Sequence, residues 1–450
     1  MAPRFGTDGV RGVANEELTA EVALALGRVA VEVLCPSRFI IGRDTRRSGP
    51  MLEAALVAGV CSAGADAELL GVVPTPAVAW ASADRGAAGA MISASHNPFA
   101  DNGIKLFGPG GLKLADSVES QIENALARDL GSTAVTGPTH DAIGTVLTGS
   151  GVDGSEVEGW LSAVSSSIAP RRLDGLSLVV DCANGAATGH AARVYSGLGA
   201  IVRVIGDEPD GVNINDGVGS TSPAALAAAV LEAGADLGLA FDGDADRLIA
   251  IDETGAVVDG DRVLAILATD WSAQGRLAGD TVVVTVMTNL GFHLAMQRAG
   301  IQVVSTAVGD RYVLEALDER QLSLGGEQSG HVICRDLATT GDGLLTGVQL
   351  ADALVRSGEP LSKLATEIMT SVPQVLRNVR LPRRDETLAE RLRGDIERVE
   401  EMLGADGRVL VRASGTEPLL RIMVEHVDPE VADRTCEQLV SVAERLVGSG

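Results

Sequence analysis

Three times along this chain, a short run of β-branched and aliphatic residues gives way to a polar or glycine-bearing turn. A helix-like segment that stops near a glycine follows, and then another apolar run. The first copy starts at Arg38-Phe39-Ile40-Ile41-Gly42 and passes through Arg43-Asp44-Thr45-Arg46 to a helix over about 50–63. The second runs from 176–180 through Asp181-Cys182-Ala183-Asn184-Gly185 to a helix ending near Gly199 and a strand over 201–205. The third runs from 281–286 through Met287-Thr288-Asn289 to a helix ending near Gly300 and a strand over 301–304. Buried β-runs alternating with helices point to βαβ units whose helices cover a parallel sheet. The expectation is therefore an α/β protein with three related units, each on a mixed, largely parallel sheet.

The ending differs. Val409-Leu410-Val411, a polar loop and an apolar run over 419–424 read as strand–loop–strand, followed by a helix over about 429–447. That is a small α+β domain, and the change of composition at Ser371-Val372-Pro373 marks its start. Softer boundaries lie in the Gly/Thr/Ser-rich stretch 131–154 and just after Arg247. The expected domains are 1–150, 151–248, 249–370 and 371–450; at 450 residues the chain is too long for a single core.

Charge and composition exclude several kinds of partner. The formal net charge of −25 repels phosphate backbones and anionic membranes, and 2% aromatic residues leave little for base stacking, so nucleic acid is not expected. No stretch reaches about 18 uninterrupted apolar residues, so no membrane span is expected. The start, Met1-Ala2-Pro3-Arg4-Phe5-Gly6, lacks the apolar core of a signal peptide, and a cytoplasmic location is expected. Five scattered cysteines without a C-x-x-C pair read as reduced residues, four of them in or beside apolar runs. Any anionic substrate must then be met by local Arg, Lys or metal.

Four polar loops carry candidate chemistry. Ser93-Ala94-Ser95-His96-Asn97-Pro98 follows an apolar run and leads into Asp101, Asn102, Gly103 and Lys105. Ser95 is a candidate nucleophile or phosphoryl carrier, with His96 and Lys105 as nearby polar or basic groups. The same string also reads as a turn whose side chains satisfy their own backbone. Asp242-Gly243-Asp244-Ala245-Asp246-Arg247 places carboxylates at alternate positions on a loop, where they can converge on one hard cation; magnesium suits the set. A solvated acidic turn is the plainer reading. A calcium loop is rejected, because counting from Asp242 puts Arg247 where position six requires glycine. Arg247 is placed to hold a phosphoryl oxygen opposite the metal.

Gly325-Gly326-Glu327-Gln328-Ser329-Gly330-His331 offers donors and acceptors for vicinal hydroxyls, with His331 able to move protons near neutrality; it reads equally as a hairpin turn. Arg412-Ala413-Ser414-Gly415-Thr416-Glu417-Pro418 combines Gly415 with donors from Arg412, Ser414 and Thr416, a phosphate nest. Phe5-Gly6-Thr7-Asp8-Gly9-Val10-Arg11-Gly12 adds the cation candidates Arg4 and Arg11 but lacks the lysine of a P-loop. Together the loops suit phosphoryl transfer on a phosphosugar, with Ser95 as relay.

These motifs, in this order over nearly the whole chain, resemble the α-D-phosphohexomutase superfamily. They lie closest to its bacterial phosphoglucosamine mutase branch. FGTDGVRG, TTGDG (Thr339 to Gly343) and the glutamine of GGEQSGH, where phosphomannomutase-type relatives usually read GEMSGH, favour that branch. The resemblance implies four domains around a central cleft and an isomerase that relays a phosphoryl group through phosphorylated Ser95. It implies a hexose 1,6-bisphosphate as bound intermediate, here glucosamine 1,6-bisphosphate, and Mg²⁺ bound by Ser95, Asp242, Asp244 and Asp246. Arg11, His96 and Arg247 would surround the serine phosphate, with Lys105 and His331 as candidates for proton transfer. Glu327 and Ser329 would read sugar hydroxyls, Arg311 would touch substrate, and Arg412, Ser414, Gly415 and Thr416 would grip the non-reacting phosphate. The expected reaction interconverts glucosamine 6- and 1-phosphates for cell-wall amino-sugar precursors, with glucose or mannose phosphates as the alternative substrates. The expected assembly is a monomer or homodimer.

Overall fold

The computed structural model describes residues 5–6, 9–131, 137–147, 155–382, 385, 387–413 and 418–448. Its contacts divide into two compact units, Met1–Thr285 with Ile301–Thr366, and Val286–Gly300 with Glu367–Gly450.

The first unit holds three mixed sheets built on one plan. In the first, the parallel strands Asp66–Val72, Arg38–Arg43 and Ala88–Ile92 continue into the antiparallel Asp101–Phe107 and Gly9–Val13, with Phe5–Gly6 and Val146–Leu147 at the edges. In the second, Ile201–Ile205, Ser177–Asp181 and Leu237–Phe241 are parallel, and Leu248–Asp252 and Val257–Val258 follow antiparallel. In the third, Gln302–Thr306, Thr281–Thr285 and Leu324–Gly326 are parallel and Val332–Cys334 is antiparallel. In every sheet the last parallel strand is fully buried and hands over directly to an antiparallel neighbour. That handover fixes the function-bearing segments. The loops 93–100, 242–247 and 327–331 are the three parallel-to-antiparallel connections, each at the carboxyl end of a parallel strand, where open α/β sheets expose backbone groups and place their ligands.

The expected α/β architecture with three related sheets and a small α+β ending is what the chain adopts. Strands and helices fall close to their expected places: Arg38–Arg43 with helix Gly49–Ser62, Ser177–Asp181 with Ile201–Ile205, and Thr281–Thr285 with Gln302–Thr306. Two details differ. The second sheet runs past residue 248, because Leu248–Asp252 pairs along its length with Leu237–Phe241 and Val257–Val258 pairs in turn with it. The helix of the second copy is short, Ala191–Gly197, because the segment before it runs in successive turns, with Gly185 N donating to Cys182 O at 2.8 Å, Thr188 N to Gly185 O at 3.2 Å and His190 N to Ala187 O at 3.0 Å. Four of the cysteines are buried and all five are free; Cys35 is exposed.

The second unit is an antiparallel sheet in the order Gln374–Arg380, Leu419–His426, Gly407–Ala413, with helices Arg393–Leu403 and Pro429–Gly448. Its core is aliphatic, with Leu420, Ile422, Val424, Ala432, Cys436 and Leu439 interdigitated. Gln374–Arg380 is the strand that sequence reading did not identify. It is an edge strand in which exposed positions alternate with the half-buried Val375 and Arg377 and the buried Val379, so arginine and asparagine break up its apolar pattern. The helix Leu290–Ala299 belongs to this unit by its contacts, and the buried Glu425 carboxylate holds its amino end. Glu425 accepts from Leu290 N and Asn289 Nδ2, both at 3.0 Å, and pairs with Arg408 Nη2 at 2.7 Å. A negative charge there complements the helix dipole and satisfies an end N–H. Glu425→Ala removes the buried carboxylate that Arg408, Asn289 and Leu290 N share and is expected to destabilise this unit by about 3–5 kcal/mol in urea unfolding; a change below about 1 kcal/mol would contradict the anchoring.

Candidate active site

Ser95 is buried and sits in the left-handed region, φ 52°, where a non-glycine residue is held only by its surroundings. Its Oγ donates to Asp242 Oδ2 at 2.5 Å and lies 3.3 Å from His96 Nδ1. The serine loop of the first sheet and the aspartate loop of the second thus meet through one hydrogen bond. Gly243 is required at this meeting: a Cβ there would lie 2.6 Å from the Ser95 carbonyl oxygen.

Asp242, Asp244 and Asp246 are all buried, and one oxygen from each lies within 4.8 Å of the others. Ala245, at φ 56°, turns the backbone so that the alternate side chains converge. Thr75 fixes Asp244 twice, its Oγ1 donating to Oδ2 at 2.6 Å and its N to the main-chain oxygen at 2.9 Å. Lys105 Nζ donates to Asp244 Oδ2 at 2.7 Å and Asp246 Oδ2 at 3.1 Å. The other oxygens, Asp244 Oδ1 and Asp246 Oδ1, are buried with no hydrogen-bond partner. Unsatisfied buried carboxylate oxygens, converging beside a serine hydroxyl, fit a hard divalent cation.

Charge is divided unevenly within the cluster. Burial, reinforced by Asp246 and Asp244, pushes the Asp242 carboxyl well above its usual range. Burial opposes Asp246 as well, but Lys105, then His331 and Arg247, outweigh it and hold that carboxyl well below the usual range. His331, from the loop of the third sheet, lies with Nδ1 3.6 Å from Asp246 Oδ1 and Nε2 3.4 Å from Asp310 Oδ2. Burial lowers its pKa, yet the two carboxylates outweigh burial and raise it. Gly341, in the TTGDG segment, backs this ring; a Cβ there would lie 2.4 Å from His331 Cε1. Asp342 caps the helix Gly343–Ser357, and Gly343 N donates to Ala245 O at 3.0 Å, so the same segment braces the aspartate loop.

Ser95, His96, Lys105, Asp242, Asp244, Asp246, Arg247 and His331 are therefore brought together. Arg11 and Arg247 both act on His96 electrostatically. Glu327 is half-buried and accepts from Gly309 N at 3.2 Å, its pKa raised first by burial; Ser329 is exposed in the same loop. Arg311 instead pairs with Asp116 and Glu119 of helix Asp116–Leu130. Arg412 stands in strand Gly407–Ala413 opposite Arg421, and burial followed by that neighbour lowers its pKa. Ser414, Gly415 and Thr416 lie outside the described residues, as do Arg4, Thr7 and Asp8 and much of the 131–154 stretch. Sequence reading missed Thr75, which stands in an otherwise apolar Pro-Thr-Pro segment. It also missed Asp44 and Arg46, although a charged turn directly after a buried strand is the signal shared by the other loops.

His96 is pushed down to about 4, first by burial and then by Arg247 and Arg11. It is neutral near pH 7, and the unfolded chain binds its proton first as pH falls from 6.5, so its contribution to stability is lost in the acid direction. NMR of the unphosphorylated protein should show His96 keeping a neutral ring down to about pH 5; a midpoint near 6.5 would contradict the cationic surroundings.

The four domain descriptions of one family match in sequence along the chain. Residues 2–131 match phosphoglucomutase/phosphomannomutase α/β/α domain I, residues 158–255 domain II, residues 259–372 domain III and residues 376–442 its C-terminal domain. The chain is 51% identical over 451 residues to the phosphoglucosamine mutase of Thermobifida fusca, covering 98% of each. It is 50% identical over 464 residues to that of Leifsonia xyli subsp. xyli, covering 100% of both. Among solved structures, a phosphoglucomutase/phosphomannomutase family protein of Burkholderia thailandensis aligns with a TM-score of 0.83 at 26% identity, over 99% of this chain and 98% of that one. With matching domains along its length and relatives of about half identity over the full chain, this protein belongs to the phosphoglucomutase/phosphomannomutase family of the α-D-phosphohexomutase superfamily.

Proposed function

We propose that the chain is a phosphoglucosamine mutase, an isomerase that interconverts glucosamine 6-phosphate and glucosamine 1-phosphate. The observation that carries the reading is the 2.5 Å contact between Ser95 Oγ and Asp242 inside the buried carboxylate cluster, in a chain whose full-length relatives bear that name. In the forward direction the Oγ–P bond of phosphorylated Ser95 breaks as the sugar O1–P bond forms. The proton of the O1 hydroxyl passes to a nearby base and the serine oxygen is left to be reprotonated. The bound glucosamine 1,6-bisphosphate then turns, its 6-phosphoryl returns to Ser95 Oγ, and the 1-phosphate is released. Lys105 and His331 are assigned the proton transfers, and Arg11, His96 and Arg247 the phosphoryl oxygens. Glu327 and Ser329 are assigned to sugar hydroxyls.

Asp242, Asp244 and Asp246, with Ser95, would hold Mg²⁺, whose charge would offset that of the transferring phosphoryl group. Arg412, Ser414, Gly415 and Thr416 are assigned the non-reacting phosphate on their motif. Arg311, paired with Asp116 and Glu119, ties helix Asp310–Arg320 to helix Asp116–Leu130, and substrate contact is assigned to it on its family-like segment alone. Domain boundaries near 150, after Val258 and near 370, a cytoplasmic location and a supply role for cell-wall amino sugars complete it. Among the described residues, no helix is long and apolar enough to cross a membrane.

Steady-state kinetics on the 6-phosphates of glucosamine, glucose and mannose test the substrate. The amino sugar should give the highest kcat/KM; a preference for glucose or mannose would move the chain to the other branch of the family. Ser95→Ala should lower turnover ~10⁴-fold or more with the fold intact, and full activity would overturn the relay. Asp244→Asn should weaken Mg²⁺ binding in calorimetric titration by about 10–100-fold; unchanged affinity would remove the cation from this cluster.

A further inference from the structure

One guanidinium lies beneath the whole serine loop. Arg46, in the turn after strand Arg38–Arg43, is 0% exposed. Its Nη2 donates to Ser95 O at 2.9 Å and Asn97 O at 2.8 Å, and its Nη1 to Asp101 O at 3.0 Å and to Pro98 O. Its Nε pairs with Asp44 Oδ2 at 2.8 Å, so all five donors of the planar group are directed at acceptors. Asp44 in turn accepts the Ser93 hydroxyl at 2.6 Å, and Ser93 Oγ accepts from Ser95 N at 2.9 Å. Both the N–H and the C=O of Ser95 are therefore tied to a single buried ion pair.

A second tie comes from the segment that precedes the second sheet's last strands. Asn215 Nδ2 donates to Ser95 O at 2.9 Å and Asn97 O at 3.1 Å. Burial pushes the Asp44 carboxyl up, against Arg46. A closed ion pair is a poor device for stability alone, because desolvation offsets much of its attraction, but it fixes geometry. Here the geometry it fixes is the left-handed turn that points Ser95 Oγ at Asp242.

We propose that Arg46, supported by Asp44 and Asn215, is the positioning residue that holds Ser95 in line for phosphoryl transfer. The inference rests on the mutase reading above. Its test uses the full-length wild type, Arg46→Ala, Arg46→Lys and Asn215→Ala, with folding followed by circular dichroism and thermal unfolding. The readouts are kcat and KM for glucosamine 6-phosphate, and the rate at which Ser95 gains phosphate from glucose 1,6-bisphosphate by intact mass. In folded Arg46→Ala, kcat and phosphate gain should fall ~10²-fold, as expected for a misplaced reacting atom. KM should stay within about threefold, since substrate contacts are untouched. Arg46→Lys should fall between the two, and added guanidinium should restore part of the Arg46→Ala rate. A folded variant with wild-type kcat, or one whose loss lies wholly in KM, would overturn the inference.

If the Arg46 variants do not fold, Asn215→Ala decides. A loss in kcat of about 10-fold at unchanged KM, the scale of two lost hydrogen bonds, supports the clamp, and unchanged kcat overturns it. A wild type that takes up no phosphate on Ser95 would overturn the mutase reading and the inference with it. A wild type that does, beside an equally fast Arg46→Ala protein, overturns the inference alone.

Discussion

Three carboxylates held within 4.8 Å of one another, all withdrawn from water, repel each other strongly, and the first unit is organised around containing that repulsion. Its three sheets each send a loop to the same place. The first supplies Ser95 and, from the antiparallel strand, Lys105; the second supplies the carboxylates and Arg247; the third supplies His331. Without the positive groups the buried carboxyls would be driven to take up protons, as burial and its neighbours already push Asp242 to do. In a chain carrying −25 overall, these cations cannot act at a distance and have to sit in contact.

The handover from parallel to antiparallel strand explains why a shared site is reached at all. A parallel strand ends with its backbone pointing out of the sheet, and an immediate antiparallel return forces a short, sharply turned loop there. All three loops turn through a positive φ, at Gly330 and, in non-glycine residues, at Ser95 and Ala245, and Gly243 lets the aspartate loop approach the serine loop. Such conformations are retained only when the surroundings over-determine them. Arg46, Thr75 and the TTGDG segment do this work here, each bonded to a motif loop rather than part of one.

That distinction marks how far the sequence could be read. Loops that carry their own chemistry were legible, because Ser95, Asp242 to Arg247 and Glu327 to His331 declare it by residue type and spacing. Beside them Ala88–Ile92, Leu237–Phe241 and Leu248–Asp252 were legible as apolar runs, whereas the polar start of Asp101–Phe107 and the brevity of Leu324–Gly326 hid those two strands; the closing strand–loop–strand with helix Pro429–Gly448 was legible. The supports were not. Thr75 meets Asp244 across 169 positions, and nothing local distinguishes it from an ordinary helix residue; Arg46 stands in a charged turn after a buried strand, but that signal does not name its partner Ser95, 49 positions away. The reach of the second sheet past residue 248 was hidden for a related reason: strand pairing, not composition, decides where that sheet ends. Arg311 was legible as a basic residue in a family-like segment, but its pairing with Asp116 and Glu119 of helix Asp116–Leu130 was not, because those partners lie 195 and 192 positions away.

The central claim is that a phosphoryl group resides on Ser95 and moves between that oxygen and the sugar. Peptide mass spectrometry tests it most directly, on protein carrying isotopically labelled phosphate and quenched during a chase with unlabelled glucosamine 6-phosphate and Mg²⁺. The account predicts label on the Ser95 peptide at the start, lost from it at the rate of turnover and recovered in the sugar phosphates. Label that stays on Ser95 while glucosamine 1-phosphate forms, or product formed by a protein that never carries phosphate there, would contradict it.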